Sequence, residues 1–257
     1  MNINDALILG SLQGLTEFLP ISSSGHLVIG QHILGLSLPG NIFEVLVHMG
    51  TLCSVLVVFK NDILDMIFNF SSVKNRNMIL AVIIGTIPAV IVGLSLKENI
   101  SSIFDNISAV SFSLMITGIW LILTKWSVEK NRSLNGVSGL IIGCAQAIAI
   151  IPGISRSGST IGMAMFFGIS PEKAARFSFL LAIPAIAGAG LLTALDVETS
   201  SLQELSFPVI LTAFISSFLV GWASLRWLLQ LISKGKFYWF GVYCLSIGLI
   251  TFITSII

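Results

Sequence analysis

The stretch Gly10-Ser-Leu-Gln-Gly-Leu-Thr-Glu-Phe-Leu-Pro-Ile-Ser-Ser-Ser-Gly-His26 returns 133 residues later as Gly143-Cys-Ala-Gln-Ala-Ile-Ala-Ile-Ile-Pro-Gly-Ile-Ser-Arg-Ser-Gly-Ser159. Gly10, Gln13, Ile21, Ser22, Ser24 and Gly25 fall without a gap on Gly143, Gln146, Ile154, Ser155, Ser157 and Gly158. Each copy carries a helix breaker mid-way, Pro20 in the first and Pro152-Gly153 in the second, and clustered hydroxyls just after it. Broken backbone inside an apolar segment is tolerated in hydrocarbon only where protein or a cavity satisfies it. The repeat therefore reads as a built site.

The surroundings of the repeat are those of a membrane protein. Hydrophobic residues make up 55% of the 257 positions and charged residues 10%, where a soluble domain carries about 25% charged. Mean hydropathy is +0.98. A net charge of +1 argues against nucleic acid or an acidic partner. Cys53, Cys144 and Cys244 lie in apolar runs and read as small hydrophobes. No basic region precedes the first apolar run, so a cleaved signal peptide is not expected.

Six runs, 43–59, 78–96, 107–124, 177–195, 207–229 and 238–256, approach the roughly 20 residues a spanning helix needs. The repeated segments, 3–34 and 135–168, read as re-entrant helix–break–helix hairpins. The expected fold is an all-α polytopic membrane protein forming one domain over 1–257. It has six spans and two re-entrant hairpins, and consists of two inverted repeats, about 1–134 and about 135–257. Val92-Gly93 against Val220-Gly221, and Gly118 against Gly248, echo the duplication.

Charge placement supports the inversion. If each hairpin leaves on the side from which it entered, the loops 60–77, 125–134, 170–176 and 226–237 share a face. That face holds Lys60, Lys74, Arg76, Lys125, Lys130, Arg132, Lys173, Arg176, Arg226, Lys234 and Lys236. Only Lys97 lies opposite, and Arg156 is left at membrane depth. Lys and Arg accumulate on the cytoplasmic side, so both termini are expected outside the cytoplasm, with the hairpins entering from opposite faces.

Candidate chemistry follows from the residues at the breaks. Gln13 and Glu17 are four apart and share a helix face. An acid inside a membrane segment usually faces a cavity, a partner or a cation, and a neutral, hydrogen-bonded acid is the structural alternative. With Gln13, Glu17 could hold a hard divalent cation, Mg²⁺ or Ca²⁺, if substrate phosphates and water completed the shell. Ser22 and its neighbours suit the N-cap of a second half-helix. His26 lies one turn beyond Ser23, so hydroxyl and imidazole could form a nucleophile–base pair. In the second copy, Ser155, Ser157 and Thr160 surround the start of a half-helix whose amides can face an anion. Arg156 suits bidentate contact with phosphate, and a salt bridge to Glu17 is the structural alternative. Glu44 and His48, four apart on the first span, could border the cavity, with core packing the favoured reading, and His32 is expected at the surface. A cation, hydroxyl donors and a helix N-terminus beside a carboxylate and an imidazole are the parts of phosphoryl transfer.

At these residues the chain resembles the bacitracin-resistance type of undecaprenyl-diphosphate phosphatase. Gln13-Gly-Leu-Thr-Glu17-Phe-Leu-Pro20-Ile-Ser-Ser-Ser-Gly-His26 fits that family's Glu/Gln-x-x-x-Glu segment. Pro152-Gly-Ile-Ser-Arg-Ser-Gly-Ser-Thr160 fits its Pro-Gly-x-Ser-Arg-Ser-x-x-Thr segment. The resemblance covers essentially the whole chain. It implies hydrolysis of undecaprenyl diphosphate to the monophosphate at the extracytoplasmic face of the bacterial cytoplasmic membrane, with the lipid carrier recycled for peptidoglycan and bacitracin resistance as a consequence. It also implies Glu17, Ser23, His26 and Arg156 as active residues, with Gln13, Ser22, Ser155, Ser157 and Thr160 in support. A homodimer stays open as a partner arrangement. A secondary transporter or flippase of a lipid phosphate is the rival reading, since inverted repeats with broken helices also build transporters. A non-catalytic assembly subunit would leave Glu17, His26 and Arg156 unexplained.

Overall fold

The computed structural model describes residues 1–36, 42–96, 106–196, 206–232 and 235–256. The described residues are all-helical: α1 (Ile3–Phe18), α2 (Ser23–Ile33), α3 (Ile42–Val58), α4 (Lys60–Phe68), α5 (Val73–Ser95), α6 (Ile107–Leu123), α7 (Gly136–Ile148), α8 (Arg156–Phe166), α9 (Pro171–Asp196), α10 (Phe207–Ile232) and α11 (Trp239–Thr254). A 3-10 turn, Thr124–Trp126, extends α6. Both breaker-bearing segments are helix–break–helix units. The breaks fall after Phe18 and after Ile148, next to Pro20 and Pro152-Gly153, because proline removes a backbone donor and clashes with the preceding turn.

Capping chemistry repeats at the same offset as the sequence. Asn2 opens α1 and Asn135 opens α7, each with a capping box completed three residues later by Asp5 or Ser138. Ser22 and Ser155 cap the second arms, their Oγ atoms accepting from the amides of Gly25 (3.3 Å) and Gly158 (3.0 Å).

The helices associate through small residues in a reciprocal pattern. Gly10 and Gly14 of α1 abut Ala213, Ser216, Ser217 and Gly221 of α10. Gly139 and Gly143 of α7 abut Ala81 and Gly85 of α5. Each first arm thus lies on a helix from the other half of the chain. Without a side chain at these glycines the backbones come close, which is how helices associate where burial from water supplies little drive. The largest apolar cluster lies beneath the breaks: Phe18, Phe59, Phe177 and Phe179 are fully or nearly fully buried, and Phe18 meets Phe179 edge to face with 5.7 Å between centroids.

Four helical stretches are long and apolar enough to cross a membrane: Val73–Ser95, Ile107–Trp126, Pro171–Thr193 and Phe207–Ile232. α3 joins α4 across a 66° bend to make a fifth candidate, and α11, at 16 residues, is shorter. All four expected loops are partly helical: 226–237 contains the end of α10, and 125–134 begins within the 3-10 turn. The basic segment 60–77 contains α4 and the start of α5, and 170–176 contains the first turns of α9. Apolar runs mark the greasy part of a helix, whereas Lys and Arg at its ends extend their stems along it and keep their charges in water. Lys97 and Lys234 of the charge argument lie outside the described residues.

Candidate active site

The two breaks meet. Ser157 donates its hydroxyl to the carbonyl of Leu19 (3.1 Å), and Gly25 sits against the backbone of Gly153. Thr117 of α6 fastens the second break from behind: its Oγ1 donates to the carbonyl of Gly153 (2.9 Å) and accepts from the amide of Ser155 (3.0 Å). Gly153 has φ +91°, a conformation that glycine adopts without strain. In the first break the positive φ falls instead on a non-glycine residue, Ser22 at φ +67°, a strained conformation.

Glu17 is the centre of the arrangement. Its Oε1 accepts from Nη2 of Arg156, the first residue of α8 (2.5 Å). Its Oε2 accepts from the hydroxyl of Ser23, the first residue of α2 (2.5 Å), and from Nε2 of Gln13 (3.0 Å). Nε2 of His48, on α3, lies 3.4 Å from the same Oε2. One carboxylate is therefore held by the side chains of Ser23 and Arg156, the first residues of two helices, and a guanidinium is the kind of partner that stabilises an anion. Glu17 and Gln13 are 7% and 0% exposed, so little water screens these contacts.

Several polar atoms here lack a protein partner. Oε1 of Gln13, Nη1 of Arg156 and Oε2 of Glu44 are buried and unbonded. Buried polar groups are nearly always paired, so such atoms mark where a ligand or water completes the site. Nη1 leaves one edge of the Arg156 fork open while Nη2 is on Glu17. Among the described residues, no group of three or more His, Cys, Asp or Glu could hold a metal ion. What the Gln13–Glu17 pair offers a hard cation is the free amide oxygen of Gln13 and a carboxylate already bonded to other donors. A cation there would need its remaining ligands from a phosphate.

The expected Ser23–His26 pair is not formed. Ser23 turns to Glu17, while His26 is held elsewhere: Nδ1 lies 2.8 Å from the carbonyl oxygen of Ser22 and Nε2 lies 2.9 Å from the hydroxyl of Tyr243 on α11. The serine that starts α2 faces the first arm, and the carbonyl at the strained residue captures the imidazole one turn on. His48 corrects a second expectation. It borders Glu17 instead of serving only as core, with Nδ1 fixed by the carbonyl of Glu44 (2.6 Å). A carbonyl accepts only, so Nδ1 carries hydrogen, and an attractive Nε2···Oε2 contact then needs a proton on one of those two atoms. Glu44 receives Nε2 of Gln31 (2.6 Å). His32 is exposed, as expected.

Ser22, Ser155, Ser157 and Thr160 are buried and all bonded within the protein. Ser22 Oγ pairs with Ser24 Oγ (3.2 Å) and Ser155 Oγ with Ser157 Oγ (3.3 Å). Thr160 donates to the carbonyl of Arg156 (2.8 Å) and pairs with Ser178 (2.6 Å). They build the two turns on which Ser23 and Arg156 stand. Thr117, His48 and Tyr243 complete the site from α6, α3 and α11.

The model of the family described as "Bacitracin resistance protein BacA" matches residues 6–250. The chain is similar to an undecaprenyl-diphosphatase of Desulforapulum autotrophicum, 39% identical over the whole of both chains. It is 42% identical to the undecaprenyl-diphosphatase of Christiangramia forsetii over 97% of each chain. An undecaprenyl-diphosphatase 2 of Bacillus thuringiensis is 40% identical over 96% of each.

Proposed function

Because the chain belongs to the bacitracin resistance protein family, we infer that it is an undecaprenyl-diphosphate phosphatase. It hydrolyses undecaprenyl diphosphate to undecaprenyl phosphate and inorganic phosphate. This returns the lipid carrier to cell-wall synthesis and removes the diphosphate form that bacitracin captures. The observation that carries the reading is Glu17 held by the side chains of Ser23 and Arg156, which open α2 and α8, a site already arranged for a buried anion.

The terminal phosphate is bound by Arg156 and the first-turn amides of α8. Arg156 shifts from Glu17 onto the phosphate oxygens and uses both edges of its fork. The freed carboxylate then takes the proton of Ser23, to which it is already hydrogen-bonded, as Oγ forms its bond to the terminal phosphorus. The bridging P–O bond breaks, and undecaprenyl phosphate leaves with the electron pair. Water activated by His26 next attacks the phosphoserine, the P–Oγ bond breaks, and Oγ recovers its proton from Glu17. A divalent cation, Mg²⁺ or Ca²⁺, would be held by Gln13 and Glu17 together with substrate oxygens, and would neutralise diphosphate charge. Ser22, Ser155, Ser157 and Thr160 support the phosphate site by shaping its turns.

The architecture we propose is six spans and two re-entrant hairpins in the bacterial cytoplasmic membrane, as an inverted repeat with both termini and the opening of the site extracytoplasmic. The reciprocal lodging of α1 on α10 and α7 on α5 supports the repeat, as do the matched caps at Asn2 and Asn135.

The test is phosphate release from undecaprenyl diphosphate by the purified chain in detergent, with and without chelator, wild type against Glu17→Ala. Turnover that Glu17→Ala abolishes is expected. Release by neither protein would return the site to a transporter, because transport needs a sealed compartment and hydrolysis does not.

A further inference from the structure

We propose that Tyr243 is a further catalytic residue: its hydroxyl is the bridge through which a proton reaches His26. The inference rests on His26 serving as the base for water. Both nitrogens of His26 are occupied. Nδ1 faces the carbonyl of Ser22 at 2.8 Å, and because a carbonyl only accepts, Nδ1 carries the hydrogen and Nε2 is the basic atom. Nε2 meets the hydroxyl of Tyr243 at 2.9 Å, and a phenol facing a lone pair donates. The two rings lie within 7° of parallel, with 5.7 Å between centroids.

The contact is anchored by its neighbours. The residue after Tyr243, Cys244, is buried with its thiol 3.7 Å from the carbonyl of Pro20, so α11 is docked on the first break. His26 is itself only 7% exposed. While that geometry holds, a proton can reach Nε2 only through the oxygen of Tyr243. As water attacks the phosphoserine, one of its protons passes to Oη and the phenolic proton passes to Nε2. The water oxygen bonds to phosphorus, the P–Oγ bond breaks, and Oγ takes the proton held by Glu17. Tyr243 ends the step neutral, and the proton on His26 leaves with the product phosphate.

The experiment is steady-state phosphate release from undecaprenyl diphosphate by the purified full-length chain, comparing Tyr243→Phe, Tyr243→Leu, His26→Ala and the double variant His26→Ala/Tyr243→Phe. Tyr243→Phe keeps the ring and removes only the bridge. Its kcat is expected to fall about 10- to 100-fold, part of what a general base contributes, with KM within about twofold. Tyr243→Leu should lose no less. The double variant should be no slower than His26→Ala, because residues acting in one proton path are not additive. Wild-type kcat for Tyr243→Phe with a crippled His26→Ala would overturn the bridge and leave His26 as the base. A double variant slowed by the product of the two single effects would overturn it as well. Near-normal turnover by His26→Ala would remove the underlying role of His26, and the bridge with it.

Discussion

At Arg156 shape counts as much as charge. Nη2 holds Glu17 while Nη1 is buried and unbonded, so the guanidinium can accept a phosphate along its open edge before releasing the acid. An ammonium in its place would keep the charge and lose the fork. We expect Arg156→Lys to lower kcat/KM by on the order of 100-fold, a loss typical of removing one positioned donor from developing charge. Unchanged kcat/KM would remove Arg156 from phosphate binding. Ser23→Ala should abolish turnover, and acid quenching of the wild type should trap phosphoserine at Ser23. Direct attack by water predicts the opposite on both counts. Glu17, Ser23 and Arg156 were legible in the sequence because an ionisable residue at membrane depth stands out, and because the repeat aligned their surroundings. The partner of His26 was not legible. Tyr243 is 217 residues away, in a run where an aromatic looks like any lipid-facing one. At His48 the sequence favoured core packing over a place at the cavity, because its four-residue spacing from Glu44 is also what helix packing produces. That it lies beside Glu17 depends on how α3 crosses α1, which no local spacing reveals.

The helical elements were legible in type and order, since proline and glycine punctuate the apolar runs. Their lengths were less so, and α4 was missed. Lys60, Asp62 and Asp65 obscure its apolar side, and among the described residues α4 buries none of its side chains. What joins the elements is backbone-to-backbone approach. A side chain at Gly143 would meet the backbone of Gly85, with the glycine carbonyl directly in the way. Gly143→Val should therefore force α7 off α5 and destabilise the fold by about 1–3 kcal/mol, visible as a lower melting temperature in detergent. Gly35, with open space around its missing side chain but φ +64°, makes a useful control. There a substitution strains only a turn. Equal melting for Gly143→Val and wild type would show that the α5–α7 seam is not tight.

For the whole molecule, the distribution of Lys and Arg predicts which face is which. In a chain with Cys53, Cys144 and Cys244 replaced by Ala, Glu129→Cys should react with an impermeant thiol reagent only after the cytoplasmic side is opened. Ile256→Cys should react in intact cells. Both residues are exposed. The reverse pattern would turn the protein over and put the mouth of the site on the other face.

The lodging of α1 against α10 also has a consequence in time. Gly14 meets Gly221, and 206 residues lie between the two for the ribosome to add. At roughly 5–20 residues per second this is about 10–40 s. During that interval the first hairpin, with its acid and its serines, has no α10 to rest on. Its final packing is therefore a late event of biosynthesis, which waits on the second half of the chain. Nascent chains ending before residue 206 should leave the segment around Glu17 open to protease, and chains extending past residue 232 should protect it.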